Sequence, residues 1–140
     1  MEAPEIAAER VARGARWLDE NFPGWEERID PSTLELSDGQ RCICGQVFAR
    51  TARMNGKQDG FMYAYHDLFT EANSWISGLI EEAYGESKSK GTGAYASAVS
   101  RELGFSDDSG YRDFYDDEYV SYSKLQYAWE KLLANRGYLA

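Results

Sequence analysis

FMYAYHDLFTEANSWISGLIEEAY, residues 61–84, decides the fold class. Its apolar positions are Phe61, Tyr65, Leu68, Ala72, Trp75, Leu79 and Ala83, separated by steps of 4, 3, 4, 3, 4 and 4. That period is helical, and a helix so patterned buries one stripe along its length. A single helix over the whole stretch would be about 36 Å long. A domain of this size is only about 28 Å across, from a radius of gyration of about 14 Å. The spacing therefore predicts two helices with a break near Thr70–Ser74, the second capped by Asn73 or Ser74.

The same period recurs on both sides. Upstream, a helix is expected over Gln40–Asn55, with Cys44, Val47, Phe48, Thr51 and Met54 on one face. Gly45 inside it costs about 1 kcal/mol relative to Ala and points to a close helix crossing. Asn55-Gly56 ends this helix, and Lys57–Gly60 is a loop. Further back, Trp25–Leu36 reads as a connection anchored by Ile29, Leu34 and Leu36, with turns at Asp30-Pro31 and Ser37-Asp38-Gly39. The first helix is expected over Pro4–Asn21. Ala7, Val11, Ala15, Leu18 and Phe22 form its stripe, Glu9 and Arg13 an i,i+4 pair, and Pro23-Gly24 its stop.

Downstream, Gly85–Gly93 reads GESKSKGTG, a flexible loop by composition. Thr92 is expected to cap a helix over Gly93–Leu103 that buries Tyr95, Val99 and Leu103. Gly104-Phe105 resembles a left-handed helix stop followed by an apolar contact. A last helix is expected over Ser121–Asn135, with Tyr122, Leu125, Trp129, Leu132 and Arg136 following its stripe and Gly137 at its end. No segment alternates as a strand does. The expectation is an all-α protein, a compact single domain of five or six helices spanning residues 1–140.

Composition narrows the function. The chain has 140 residues, 15 Lys plus Arg and 24 Asp plus Glu, for a net charge of −9. That balance disfavours a dedicated binder of nucleic acid or anionic membrane. The longest apolar runs fall far short of a membrane span. The N-terminal MEAPEIAAERVARGARW is charged and amphipathic rather than leader-like. Cys42 and Cys44 are too close for an unstrained disulfide, so a reducing, cytoplasmic setting is expected.

Catalytic and metal motifs are sparse. His66 is the single histidine. Asp67 beside it would point about 100° away on a helix, so no orienting acid is evident and a structural or surface role is expected. Cys42 and Cys44 lack zinc spacing and diverge on a helix, which fits packing rather than metal or redox chemistry. The acid pairs Glu26-Glu27, Glu81-Glu82 and Asp107-Asp108 have no Glu-x-x-His companion. No phosphate-binding loop, nucleophile elbow or paired-His motif is present. The expectation is no enzyme, no cofactor and no metal.

The charge is placed unevenly. Residues 40–58 hold Arg41, Arg50, Arg53 and Lys57 with no acid, giving +4. Residues 102–118 hold Glu102, Asp107, Asp108, Asp113, Asp116, Asp117 and Glu118 against Arg112, giving −6. The bland readings are that the two segments neutralise one another in the fold, or that both are ordinary solvated faces. The sharper reading is a partner surface. If residues 110–122 are helical, Tyr111, Tyr115, Tyr119 and Tyr122 form one stripe beside the acids, although such stripes are more often the edge of a core.

Two stretches carry a resemblance. They are GARWLDENFPGWEERIDPSTLELSDGQRCICGQVF, residues 14–48, and YSKLQYAWEKLLANRG, residues 122–137. Together they resemble small orphan proteins of actinobacteria and of the phages that infect them. The matching positions are Trp17–Glu20, Pro23–Trp25, Ile29-Asp30, Leu34–Leu36, Cys42–Gln46 and Ala128-Trp129, about a third of the chain. The middle, Thr51–Gly110, is longer than the group's, and Cys44 stands where an aliphatic residue is usual. The resemblance implies a phage or genomic-island accessory protein that binds a host protein, and it transfers no catalytic residue.

The expected function is thus a non-enzymatic interaction factor that uses Asp113, Tyr115, Asp116, Asp117 and Tyr119. The alternative is a nucleic-acid-associated regulator that uses Arg41, Arg50, Arg53 and Lys57. A third possibility is a small enzyme with His66 in a cleft.

Overall fold

Ala3–Asn21 folds as α1, with Pro4 in its first turn and a capping box between Glu2 and Glu5. The computed structural model describes residues 1–72, 75–85 and 92–138. Among them, α1 is followed by a 3₁₀ turn, Trp25–Arg28, and then by α2, Ile43–Val47; α3, Ala49–Met54; and α4, Gly60–Tyr63. Next come α5, Trp75–Tyr84; α6, Thr92–Glu102; and α7, Tyr122–Asn135. The described residues contain helices and no strand, so the all-α reading holds, with seven α-helices instead of five or six.

The stripe of α1 is as its period predicts, since Ala7, Val11, Ala15 and Leu18 are buried. The expected Glu9–Arg13 pair does not form. Arg13 turns instead to Glu102, 3.0 Å away, and Arg16 pairs with Glu20 at 3.1 Å. Ile29, Leu34 and Leu36 anchor the connection as expected.

The single helix expected over Gln40–Asn55 is two short ones. Residues 38–41 form a turn in which Asp38 accepts the backbone N–H groups of Gln40 and Arg41. Cys42 caps α2 by accepting the Gly45 N–H at its sulfur. Phe48 (φ −108°, ψ 15°) then breaks the run and packs its ring 4.8 Å from Phe22. The break rotates the following turn, so Met54 is 76% exposed, not buried. The crowding at Gly45 comes from the 39–40 turn and not from a crossing helix, since a Cβ there would lie 2.6 Å from the Gln40 carbonyl carbon; the start of α4 also comes close to the Gly45 backbone. A Cβ on Gly60 would lie 2.6 Å from the Gly45 carbonyl oxygen and 2.8 Å from its Cα.

The break in residues 61–84 is also present, but the buried stripe is shifted. The buried residues are Ala64, Phe69, Ala72, Ile76 and Ile80, while Phe61, Tyr65, Leu68, Trp75 and Leu79 are only partly covered and Ala83 is exposed. A π turn over Ala64–Leu68 is the cause. Its i→i+5 bonding adds one residue to the turn, so the buried positions step by five from Ala64 to Phe69. A 3₁₀ turn, Phe69–Glu71, ends the run. The caps expected at Asn73 or Ser74, most of the loop at 85–93, and any capping by the Thr92 side chain lie outside what is described.

Tyr95, Val99 and Leu103 are buried on α6 as expected. Gly104 adopts φ +77°, and the Phe105 N–H donates to the Ser100 carbonyl, closing a Schellman stop. Phe105 then enters an aromatic column. It stacks on Phe69 at 5.7 Å and on Trp129 at 5.6 Å, and Trp129 meets Trp25 edge-on at 5.9 Å.

Ser121 caps α7, and Leu125, Trp129 and Leu133 are its buried face. α7 runs parallel to α1. Pro4 faces the Ser123 end, Val11 faces Asn135, and Asp19 accepts two hydrogen bonds from Arg136 at 2.9 and 3.1 Å. The Arg136 guanidinium and the Trp25 indole N–H hold the Asp19 carboxyl below its ordinary 3.8. A depressed carboxyl stabilises the fold above its unfolded value and loses that contribution as pH falls through its folded value. Asp19→Asn should therefore flatten the fall in stability below about pH 4. The amplitude stays under about 1 kcal/mol because the pair is partly exposed. Urea melts across that range check this.

Candidate functional site: an acidic aromatic loop on a buried ionic anchor

Residues 106–120 form a chain of turns between α6 and α7, not the helix on which the tyrosine stripe depended. Asp and Ser residues explain the choice, because their side chains satisfy nearby backbone N–H groups and compete with a helix. Asp107 accepts from the Ser109 N–H, Asp113 from Tyr115 at 2.9 Å, and Asp116 from Glu118 at 2.8 Å. Gly110 turns the chain with φ +77°.

Without the helix, the four rings go to different places. Tyr122 opens α7 and is half-buried. Tyr119 is buried, against the expectation of a partner-facing ring, with Phe114 5.3 Å from it. Tyr111 lies beneath the Arg101 guanidinium at 4.4 Å. Tyr115 alone projects fully, at 90% exposure. Beside it stands Phe114, 69% exposed and 5.6 Å away edge-on. Phe114 lies outside the residues expected to meet a partner. A bare phenyl group between an acid, Asp113, and a tyrosine, Tyr115, was the available signal.

The loop rests on a buried ionic cluster. Asp108 is fully buried, and its Oδ1 lies 2.7 Å from Arg10 Nη1. Arg101 Nε and Arg112 Nε approach the same carboxylate at 3.8 and 3.6 Å. The Val120 N–H donates to Asp108 Oδ2, and the Asp108 N–H returns to the Val120 carbonyl. Glu102 joins through Arg10 at 3.5 Å and Arg13 at 3.0 Å, and accepts the Tyr84 hydroxyl at 2.7 Å. Burial beside Glu102 pushes the Tyr84 phenol well above its ordinary value. Arg112 also reaches Asp116 and Glu118, each at 3.6 Å. Arg10, Arg13, Arg101 and Arg112 thus face Glu102, Asp108, Asp116 and Glu118, so the cluster is balanced.

Four of the seven acids of 102–118, Glu102, Asp108, Asp116 and Glu118, are therefore paired with arginines of α1, Arg101 and Arg112, and not with the basic segment 40–58. In that segment Arg41 pairs with Glu35 and Asp38, and Lys57 approaches Asp67 at 4.0 Å. Arg50 and Arg53 form no ion pair among the described residues. Asp117 is the acid of the loop whose side chain makes no hydrogen bond or ion pair there. The outermost chemistry of the loop is Phe114, Tyr115 and Asp117, with Asp113 and Asp116 partly committed to turns.

The remaining candidates carry little chemistry. His66 is exposed on the π turn, with Tyr65 as its ring neighbour at 5.3 Å. No group of three His, Cys, Asp or Glu residues among the described residues is placed to hold a metal ion. Burial pushes the Cys42 thiol up to about 12 and raises Cys44 well above its ordinary value, so both are unreactive thiols at neutral pH. No helix among the described residues is long and apolar enough to cross a membrane. No protein-family model, no curated protein and no solved structure matches the chain.

Proposed function

We propose that this protein is a non-enzymatic interaction factor whose acidic aromatic loop, residues 109–118, docks on a basic patch of a protein partner. The observation that carries the reading is the pair of exposed rings, Phe114 and Tyr115, held among Asp113, Asp116 and Asp117. Aromatic residues are enriched at protein interfaces, tyrosine among the few positions that carry most of the energy, and a loop ordered beforehand loses less entropy on binding. The anchor at Asp108 and Arg112 supplies that order. The resemblance to actinobacterial and phage proteins supports a host protein as the partner. The two free buried thiols support a reducing, cytoplasmic setting.

The test is recovery of a partner from host lysate by the wild type and by a Phe114→Ser, Tyr115→Ser, Asp117→Lys variant. Loss of about 1–2 kcal/mol per ring is expected, enough to abolish capture of a micromolar partner. These side chains are exposed, so the variant's melting curve should match the wild type. Equal recovery of the same protein by both would remove the loop from the interface.

The alternative, nucleic-acid association through Arg41, Arg50, Arg53 and Lys57, is favoured by the free guanidinium groups of Arg50 and Arg53. Two phosphate contacts give a salt slope of only about −1.8. A gel shift at low salt, lost in Arg50→Ala, Arg53→Ala, would establish that reading.

A further inference from the structure

We infer that the outer face of α1 and α7 is a self-complementary surface on which two copies of this chain pair about a two-fold axis parallel to the helices. A groove of about 460 Å³ runs between the two helices, floored by Pro4, Ala8 and Ala128 and edged by Lys124, Tyr127 and Lys131. It continues past Ala8 and Ala128 towards Leu132 and Asn135 as a second space of about 320 Å³. Tyr127 stands 67% exposed at its rim. Small residues on the floor allow a further helix to approach to about 8–9 Å.

Charge decides the occupant. On an acidic protein, the α7 edge of this groove is basic, and neither Lys124 nor Lys131 forms an ion pair among the described residues. The α1 edge is acidic. Glu5 lines the groove and Glu9 follows one turn later, exposed and without an ion pair. Because α1 and α7 are parallel, Glu5 and Lys124 share one end of the groove, and Glu9, next to Ala8, and Lys131 both lie further along in the same direction; the rises between the two pairs differ by about 4–5 Å, within the reach of a lysine side chain. Rotation by a half turn about an axis parallel to the helices places α1 of one copy over α7 of the other at the same height. Glu5 then meets Lys124 and Glu9 meets Lys131, twice over. A half turn about an axis across the helices would set Glu over Glu and Lys over Lys. A surface carrying both signs in this order fits its own copy, as an isologous contact requires. α7 is about 21 Å long, so the contact falls below the ~800 Å² per partner of a tight complex. It is a weak dimer, distinct from the loop at 109–118.

Sedimentation equilibrium from micromolar to sub-millimolar concentration tests this. The mass should rise from 15.9 kDa towards twice that value. Lys124→Glu with Lys131→Glu, and separately Glu5→Lys with Glu9→Lys, should each weaken association by at least about tenfold. An equimolar mixture of the two double variants should associate more tightly than either alone, because it opposes an acidic face to a basic one. Circular dichroism melts would confirm that both variants fold. A wild-type mass of 15.9 kDa throughout the range, or a mixture no tighter than its components, overturns the proposal and leaves the loop assignment untouched.

Discussion

Asp108→Ala should cost about 3–5 kcal/mol and lower the thermal midpoint by about 10–15 °C. The carboxylate is fully buried and faces three guanidinium groups, Arg10, Arg101 and Arg112. Removing it leaves buried Arg10 and the partly covered Arg101 and Arg112 beside one another without their shared carboxylate, and also strands the Val120 N–H. Domains of this kind are stable by only about 5–15 kcal/mol in total. The loss is therefore a large share of what holds the protein folded. Arg10→Met gives the contrast. It removes one partner, while Arg101 and Arg112 continue to face Asp108, so its cost should be nearer 2 kcal/mol. Urea titration of both variants measures the difference. Equal losses would show that Arg101 and Arg112 do not sustain the carboxylate. The Asp108 variant should also release residues 109–119, visible as rapid amide exchange there, because the loop has its main attachment at this residue.

Gly14→Ala should destabilise by about 3 kcal/mol, the upper range for an overpacked core. The ordinary expectation has the opposite sign, since Ala is favoured over Gly inside a helix by about 1 kcal/mol. Gly14 is buried in the middle of α1. A Cβ there would run into the Leu103 carbonyl oxygen and come within 3.0 Å of Trp129 Cζ2. Neither neighbour can retreat cheaply. Leu103 belongs to the Schellman stop of α6, and Trp129 is buried with its indole N–H donated to the Gly104 carbonyl at 2.8 Å. Gly104 itself lies close under α1, where a Cβ would meet the Val11 backbone nitrogen at 3.0 Å. A stabilised Gly14→Ala variant would mean that the end of α6 moves away from α1 without penalty.

The helices were legible where one local period governs them. α1 and α7 each keep a stripe at steps of three and four for their full length, and each carries its own start and stop signals. Residues 61–84 were legible as broken helix but not in phase. An added residue in a π turn leaves no mark on composition, and beyond it the buried positions move by one, to Phe69, Ile76 and Ile80, while Ala72 stays buried. The tyrosines at 111, 115, 119 and 122 had helical spacing by coincidence. The Asp and Ser residues between them satisfy the backbone as turns, and no hydrophobic stripe opposed that.

The ionic anchor was the least visible feature. Arg10 and Asp108 are 98 residues apart, and nothing local in the sequence announces such a pair. One trace of it existed. Ala3, Ala7, Arg10 and Gly14 step by 4, 3 and 4, which places a charged residue on the buried side of α1 and demands a buried acid somewhere. Segment totals of +4 and −6 invited the simpler pairing of 40–58 with 102–118. Net charge over a segment does not report which arginines on another helix lie within reach.

The π turn at Ala64–Leu68 has a consequence for how this chain tolerates changes of length. A regular helix that loses one residue rotates everything beyond the gap by about 100°, which would carry Trp129 and Leu133 out of the core if it happened early in α7. In the π turn the chain already holds one residue more than an α-helix needs. Omission of exposed His66 or Asp67 would convert the turn to ordinary α-helix and return Ala64, Phe69 and Ala72 to steps of four and three. Here a codon can be lost while the aromatic column keeps its register.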